Sequence, residues 1–343
     1  MDKDVLNLLS IPTSPFRENR IREEIKIWSD FNRISNYQDS FGNLWLNVSN
    51  FHDFDRISLV IIAHMDHPGI IIHDFFEKDG DTFALGDWLG GVPEKLENSY
   101  VNVFSPKIEL FGTIVNVIKK DNLPKKIYIK LEKKQDITFL KDQFPWGACI
   151  WFKELPQGYA QTEYLWQVRA ADDLIMLCAI LQAIKGKTIN PNVAILFSRS
   201  EEKGEMGSYF AAADTPISIK TNVISTDITP AENKKSLGKG LLFRTSNKRT
   251  AYDMNLLKSL VEKAKEYFKD TNFKYELKKE KDKGATDSSA FDSLGFKVAG
   301  IAIPLWNYHN KDPKTGKPLP EIVHDFDLQS LVYYIRCLIC EVS

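Results

Sequence analysis

The stretch Ile57-Ser-Leu-Val-Ile-Ile-Ala-His-Met-Asp66 joins an almost continuous apolar run to two residues that can bind metals or protons. The run from Ile57 to Ala63 has the length of a β-strand, and unbroken apolar character is typical of strands covered on both faces in α/β proteins. His64 and Asp66 follow where such a strand would end. The stretch therefore predicts a buried strand that delivers polar side chains to the edge of a sheet.

Three other apolar runs have the same form, and a predicted helix begins with an acidic pair. VAILFSRS (193–200) precedes Glu201-Glu202, VIST (223–226) precedes Asp227, VAGIAIPLWNY (298–308) precedes His309, and Asp172 opens a helix after Val168-Arg-Ala-Ala. In open α/β sheets, ligands bind outside the carboxyl ends of the strands. The sequence therefore predicts that His, Asp, Glu, Asp and His side chains meet at one sheet edge.

These residue types favour a metal site. Imidazole and carboxylate ligands suit zinc or cobalt without any cysteine. Two metal ions in one site lie roughly 3.5–4 Å apart, close enough for one carboxylate to bridge them. We predict that Asp172 bridges, that His64 and Asp227 complete one metal site, and that Glu202 and His309 complete the other.

Two further carboxylates are predicted to act beside the metals. Glu201 is adjacent to a ligand but would point elsewhere, so it is predicted to be the general base that takes a proton from the metal-activated water. Asp66 lies two residues from His64, a spacing that puts both side chains on one face of a strand. Asp66 is therefore predicted to hold the imidazole of His64 in place.

Each element of this pattern also has an ordinary structural interpretation. An acidic pair before an apolar helix, such as Asp172-Asp173, is commonly a helix N-cap. The pair Glu201-Glu202 could be solvated, and Asp227 could be a turn residue. The agreement of chain order, strand placement and residue type favours the metal site over these separate interpretations.

The chain is long enough for one large domain and a smaller one. From Ile70 to Trp166, short apolar runs alternate with turns and no long amphipathic helix is evident, which predicts a small all-β insertion. We predict a catalytic domain of residues 1–69 and 167–343 and an inserted barrel of residues 70–166. Helices are predicted over Glu18–Phe31, Asp172–Ile184, Glu205–Ala213, Met254–Lys269 and Phe326–Glu341, and a solvated loop over Lys278–Gly284.

Composition excludes several classes of partner. The formal net charge of −1 leaves no basic footprint for nucleic acid and no polybasic argument for a membrane surface. The N-terminal residues do not have the pattern of a secretory signal, and no apolar stretch approaches the roughly 18 residues of a membrane span. We expect a cytoplasmic protein that binds neither nucleic acid nor membranes.

Four cysteines are present, and two of them form the pair Cys337-Leu-Ile-Cys340. Such a pair could be a redox centre or half of a zinc site. A zinc site would need a second pair, and a redox pair gains its reactive thiolate at the start of a helix, whereas this one falls at the end of a predicted helix. We therefore interpret the pair as two thiols on a packed helix in a reducing compartment.

At these residues the chain resembles the cytosolic di-metal aminopeptidases that include the glutamyl and tetrahedral enzymes. The matching segments occur in the family's order along nearly the whole chain, and they are specific as a set. They are SPF at Ser14, FGNL at Phe41, AHMDHPG at Ala63, AADD at Ala170, SEEKGEMGS at Ser200, STDITPA at Ser225, GATDS at Gly284 and IPLWNYH at Ile303.

The resemblance implies an α/β fold of the phosphorylase/hydrolase-like mixed-sheet sandwich type with an inserted PDZ-like β-barrel. It also implies two divalent metals per subunit, zinc or cobalt, a peptide substrate, and a homo-oligomer built from dimers, up to a dodecamer. By motif position it gives the metal-ligand roles to five residues and the role of catalytic base to Glu201. The five are His64, Asp172, Glu202, Asp227 and His309.

The chain departs from the family pattern near these residues. Leu174 stands where the family usually has Arg, Ser288 where it often has Ala, and Ser200 where it often has Gln. An extra stretch, NKDPKTGKPLPEIVH (310–324), follows His309 and makes His324 a second candidate for the last ligand.

Three functions remain open at this stage. The leading hypothesis is an aminopeptidase, which removes N-terminal residues from peptides by attack of a metal-activated water. The same centre could instead hydrolyse N-acyl amino acids or other small amides. A non-catalytic scaffold on this fold is the third hypothesis.

Overall fold

The computed structural model describes residues 1–121, 123–278 and 284–341, so most of the predicted loop Lys278–Gly284 lies outside the described residues. The strands are β1 Asn36–Gln38, β2 Leu44–Leu46, β3 Leu59–His64, β4 Gly69–Lys78, β5 Asp81–Leu89, β6 Tyr100–Phe104, β7 Glu109–Lys120, β8 Leu123–Leu131, β9 Gly147–Ile150, β10 Tyr159–Gln161, β11 Leu165–Val168, β12 Val193–Ser198, β13 Asn222–Pro230, β14 Leu241–Arg244, β15 Tyr275–Lys278, β16 Lys297–Leu305 and β17 Glu321–His324. The helices are α1 Lys3–Leu6, α2 Asn19–Phe31, α3 Ile137–Asp142, α4 Ala171–Ile184, α5 Met206–Asp214, α6 Met254–Tyr267, α7 Ser288–Ser293 and α8 Asp325–Ile339.

A mixed eight-stranded sheet forms the centre of the larger layer, in the order β1-β2-β12-β3-β13-β16-β14-β15. Its four middle strands, β12, β3, β13 and β16, run parallel, so their carboxyl ends meet at one edge. These strands are the apolar runs from which the sheet was predicted, and their side chains are almost entirely buried.

Both faces of this sheet are covered, which explains why its strands are apolar throughout. Along β3, Ile61 and Ala63 belong to a core shared with α4 and α8, whereas Val60 and Ile62 belong to a core shared with α5 and α7. Helix α4 is buried almost all round. The α/β sandwich predicted from the sequence is confirmed.

The chain leaves the sheet after β3 and forms a closed antiparallel barrel in the order β4-β5-β8-β7-β6-β9. Pairing of β4 with β9, Ile70 opposite Ala148, closes the barrel. Strand β5 alternates buried and half-buried residues, as expected of a barrel wall with an apolar interior. The predicted all-β insertion is confirmed, and it carries one short helix, α3.

A smaller three-stranded sheet, in the order β10-β11-β17, was not predicted. It pairs the chain that leaves the barrel with the end of the extra stretch after His309, so that Val168 lies opposite Glu321. This pairing brings Glu321 to the start of α4, which begins three residues after Val168. Among the described residues, no helix is both long and apolar enough to cross a membrane.

Candidate metal centre

The predicted site residues lie at the carboxyl edge of the parallel strands. His64 is the last residue of β3, and Asp227 lies near the end of β13. Glu201 and Glu202 form a short 3₁₀ turn after β12, and His309 lies in another turn after β16. These turns follow from the strand endings, because a parallel strand must leave the sheet by a loop at this edge.

Asp172 is the shared member of the cluster. Its Oδ1 lies 3.2 Å from His64 Nε2, and its Oδ2 lies 3.2 Å from His309 Nε2. His309 Nε2 also lies 3.1 Å from Glu202 Oε1. The two carboxylate oxygens of Asp172 thus face two different imidazoles.

Two overlapping groups of metal-capable atoms result, each with its atoms within 4.8 Å of one another. The first consists of His64, Asp172, Asp173 and Asp227, and the second of Asp172, Glu202 and His309. The structure therefore brings all five predicted ligands together. The backbone of Asp172 and Asp173 is non-helical, and regular α4 geometry begins after them, so Asp172 is not a side-chain N-cap.

Asp66 has a second partner besides the predicted one, His64. Its carboxylate accepts the backbone N–H groups of Glu201 at 2.9 Å and Glu202 at 3.1 Å, and lies 3.6 Å from His64 Nδ1. The strand argument does not apply, because β3 ends at His64 and Met65 lies in a bend. The backbone carbonyl of Asp66 instead accepts from His64 Nδ1 at 3.1 Å, which leaves Nε2 free to act as a ligand.

Sequence reasoning missed Asp173. Its Oδ2 accepts the backbone N–H of His64 at 3.1 Å, whereas its buried Oδ1 has no hydrogen-bond partner among the described residues. The acidic doublet was visible in the sequence, but only its first member was weighed as a ligand. A buried carboxylate oxygen without a partner fits a place where a cation binds.

Sequence reasoning also missed three residues that hold Asp172. Glu321 Oε2 accepts the backbone N–H of Asp172 at 3.0 Å, and His67 Nδ1 contacts its backbone carbonyl. His67 Nε2 lies 2.9 Å from Asn310 Oδ1. Burial raises the pKa of Glu321 to about 8. His67 could have been found from the sequence, because it follows Asp66 directly. Glu321 could not, because only the pairing of β11 with β17 brings it to Asp172.

Negative charge is in surplus at this edge. Five carboxyl groups face two imidazoles and the guanidinium of Arg244, whose Nη2 lies 3.3 Å from Asp227 Oδ2. Burial raises the pKa of Asp227 to about 7 and outweighs the opposing effect of Arg244. Burial likewise raises the pKa values of Asp173 and Glu201 well above their usual range.

The histidines respond in the opposite direction. Burial lowers the pKa of His64 and of His309, but the carboxylates around them outweigh burial, so both pKa values are raised well above the usual one. The raised pKa values of the carboxyl groups and of the histidines have the same consequence: the cluster favours positive charge at its centre. The imidazole and carboxylate set, the surplus of negative charge and the orphaned Asp173 oxygen together fit divalent cations.

Glu201 lies at the margin of the cluster. Its Oε2 is 4.0 Å from His64 Nε2, and it belongs to neither group of metal-capable atoms. His324, the competing ligand candidate, lies elsewhere. Its Nδ1 accepts the backbone N–H of Phe326 at 3.0 Å, which caps α8, and its ring stacks on Tyr164.

The departures from the family pattern lie behind the cluster. Leu174 is fully buried in the apolar core around α4. Ser288 is buried in a polar network in which its Oγ lies 2.6 Å from Thr286 Oγ1 and 3.3 Å from the Tyr252 hydroxyl. The cysteines are also outside the cluster: all four thiols are free, and α8 ends between Cys337 and Cys340.

The inserted barrel reaches the cluster through the loop between β5 and β6. A Cβ added to Gly91 would lie 1.5 Å from His309 Nδ1, and one added to Gly90 would lie 2.9 Å from Glu202 Oε2. Trp88 Nε1 donates to the Gly91 carbonyl at 2.9 Å and fixes this loop. The loop therefore packs directly on two of the predicted ligands.

The family model for the M42 glutamyl aminopeptidases matches residues 42–313, which include every residue of the cluster. The chain belongs to the M42 glutamyl aminopeptidase family. M42 peptidases depend on metal, so the chain is a metal-dependent aminopeptidase, a hydrolase that acts on the N-terminal end of peptides. No curated protein matches the chain.

Solved structures of aminopeptidases share the fold of this M42 chain. The TET1 peptidase of Pyrococcus horikoshii, described as assembling into a tetrahedron or a large octahedral shell, is 22% identical over 99% of both chains, with a TM-score of 0.76. An aminopeptidase from Desulfurococcus kamchatkensis is 20% identical over 99% of this chain and 94% of its own, with a TM-score of 0.76. An M18 aminopeptidase from Thermotoga maritima is 15% identical over 98% and 95%, with a TM-score of 0.70.

Proposed function

We propose that the protein is a two-metal aminopeptidase in which Asp172 bridges the ions. The observation that carries this proposal is the opposed placement of the Asp172 oxygens, 3.2 Å from His64 Nε2 on one side and 3.2 Å from His309 Nε2 on the other. His64 and Asp227 would complete one site, and Glu202 and His309 the other. Zinc is the metal we propose, and cobalt the alternative, because imidazole and carboxylate ligands suit both.

Bound metal at this place supplies a Lewis acid for the scissile carbonyl and lowers the pKa of a bound water. The side chains around it then do the proton transfers. Glu201 is close to His64 but outside both ligand groups, so its carboxylate is available to take a proton from the attacking water and to pass it to the leaving amine. Asp66 acts as a positioning residue, since it holds the backbone of Glu201 and Glu202.

The acidic character of the site supports a substrate with a free amino terminus. With Asp66, six carboxyl groups surround the centre, and a divalent pair together with Arg244 neutralises only five of their charges if all are ionised. An N-terminal ammonium would complement the remainder, whereas an acylated amine carries no charge. The charge of the site therefore favours peptides over the N-acyl amino acids that the same chemistry could cleave.

The experiment is a comparison of matched peptides with free and N-acetylated termini, incubated with the metal-loaded protein. Release of the first amino acid from the free peptides alone is the expected result. Cleavage confined to the acetylated set would contradict the aminopeptidase assignment. No cleavage of either set by a protein that holds its metals would support the scaffold hypothesis instead.

We further propose the domain limits of 1–69 with 167–343 for the catalytic domain and 70–166 for the barrel. A homo-oligomer is proposed by analogy with the TET1 peptidase, whose description names a tetrahedron or octahedral shell. Light scattering coupled to size exclusion tests this, since a mass of one 39.3 kDa chain would contradict it. A cytoplasmic location is supported by the four free thiols.

A further inference from the structure

Tyr308 lies against the metal centre without a role in holding it. Its ring stacks on the imidazole of His309, with ring centroids 3.7 Å apart and planes inclined by 26°. The residues on both sides, Asn307 and His309, have left-handed backbone angles, with φ of 62° and 54°. This sharp turn directs the phenol and the imidazole to the same side of the chain.

The ring of Tyr308 is held beside the carboxylates that flank His309. The imidazole on which it stacks has its Nε2 3.2 Å from Asp172 Oδ2 and 3.1 Å from Glu202 Oε1. The hydroxyl of Tyr308 lies 3.6 Å from the point where a Cβ on Gly284 would stand. The phenol therefore lies between the proposed ligand His309 and Gly284.

This hydroxyl has no hydrogen-bond partner among the described residues, and that sets it apart from the buried tyrosines of the core. The Tyr334 hydroxyl donates to the Leu260 carbonyl at 2.8 Å, and the Tyr252 hydroxyl contacts Thr286 and Ser288. Tyr308 is half-buried, so its hydroxyl is open to an acceptor on a bound molecule.

We propose that the Tyr308 hydroxyl donates a hydrogen bond to the carbonyl oxygen of the scissile peptide bond. This inference rests on the proposed function. Carboxylates accept hydrogen bonds but cannot donate them when ionised, so the phenol is a neutral donor in a site made mainly of acceptors. Preorganised donors aimed at an oxygen that gains negative charge are a large source of rate acceleration.

The reaction balances without any proton leaving Tyr308. Glu201 takes one proton from the attacking water, whose oxygen forms a bond to the carbonyl carbon. The electron pair of the carbonyl moves onto the carbonyl oxygen, where the phenol stabilises it. When the pair returns, the bond to the amide nitrogen breaks and Glu201 delivers the proton to the leaving amine. The hydroxyl of Tyr308 keeps its proton throughout and acts only as a donor.

The test is the variant Tyr308→Phe, which keeps the ring that stacks on His309 and removes only the hydroxyl. We expect kcat to fall on the order of 10²-fold while KM and metal content stay close to wild type. Affinity for a phosphinic peptide analogue of the transition state should fall by a similar factor. The matched control is Tyr164→Phe, because Tyr164 also stacks on a histidine, His324, and lies outside the centre.

Three outcomes, in a wild type that cleaves peptides, would overturn the assignment. A kcat within twofold of wild type would remove the hydroxyl from the reaction. Loss of metal, with activity restored by excess metal, would make Tyr308 only a support for His309. If the substrate and the phosphinic analogue both bind more weakly by the same factor, the contact forms already in the ground state. If the wild type cleaves peptides no faster than Glu201→Gln does, the proposed function fails and this inference fails with it.

Discussion

At the scale of single residues, Asp172 determines most of the geometry of the centre. Its oxygens face His64 and His309, and its backbone N–H is held by Glu321, so the side chain has little freedom to turn away. The pKa of Asp172 is lowered because hydrogen bonds from both histidines outweigh the effect of burial. Asp172 therefore stays ionised, as a bridging ligand must be.

Glu201→Gln tests the assignment of the general base. The amide has the same shape but cannot accept and return a proton, so kcat is expected to fall by about 10² to 10⁴-fold. Metal content should not change, because Glu201 belongs to neither ligand group. Steady-state kinetics and elemental analysis by mass spectrometry measure both. Glu23→Gln, on an exposed part of α2, is the matched control. A variant with wild-type kcat would contradict the role.

His309→Ala and His324→Ala separate the two histidines that the sequence left in competition. Loss of His309 removes a group that faces both Asp172 and Glu202, so bound metal is expected to fall from about two ions towards one per subunit, with loss of activity. Loss of His324 removes a helix cap and is expected to lower stability by about 1 kcal/mol without changing metal content. Metal analysis showing the reverse pattern would make His324 the ligand.

At the scale of elements, the sequence predicts what depends on local pattern. The strand after Ile57 and the helix after Asp172 are continuous apolar segments because both faces are covered, and that signal is visible in the chain itself. The sheet that pairs β11 with β17 joins residues more than 150 positions apart, and short half-buried strands give little periodicity. Glu321 could not be predicted for this reason.

The residues of the site divide in the same way, into those that local sequence pattern predicts and those that depend on distant contacts. His64, Asp227 and His309 were predictable because they lie in or just after strands whose carboxyl ends meet at one edge. The second partner of Asp66 was not, because that contact depends on how the chain bends after β3 and brings the carboxylate to the backbone of Glu201. The loop at Gly91 escaped sequence reasoning altogether, since nothing in a pair of glycines indicates which side chain packs against them.

Gly91→Ala tests whether the barrel loop shapes the metal centre. The added methyl group would lie 1.5 Å from His309 Nδ1, so either the loop or the imidazole must move. We expect metal affinity and kcat to fall, by roughly 10- to 100-fold, as when a group that orients a ligand is changed. Metal titration and kinetics measure these effects. Gly80→Asn is the control, because Gly80 lies in a left-handed turn with no atom near a new Cβ. Wild-type metal affinity in Gly91→Ala would contradict the packing.

At the scale of the whole molecule, the fold brings five distant segments to one place, from His64 to His309. The sheet supplies the edge, α4 supplies Asp172, and the barrel covers the ligands on one side. The consequence is a buried surplus of carboxylates that the protein alone leaves uncompensated. Burial of unpaired charge opposes folding, so the metals should also stabilise the fold.

Removal of metal tests this coupling. Chelation is expected to lower Tm, because ligands that bind only the folded state add about 4 kcal/mol when their concentration is about 1,000 times Kd. Return of zinc should restore Tm. The variant Asp172→Asn, which lacks the shared carboxylate charge, is expected to gain much less from zinc. Differential scanning calorimetry provides the measurement, and an equal Tm with and without metal in the wild type would contradict the coupling.

The most direct test of the account is anomalous diffraction from crystals of the metal-loaded protein, recorded on both sides of the absorption edge of the metal. In the proposed centre one carboxylate, Asp172, joins two metal sites. We predict two anomalous peaks roughly 3.5–4 Å apart, one among His64, Asp172 and Asp227 and the other among Asp172, Glu202 and His309. A single peak, or two peaks that Asp172 does not join, would contradict it.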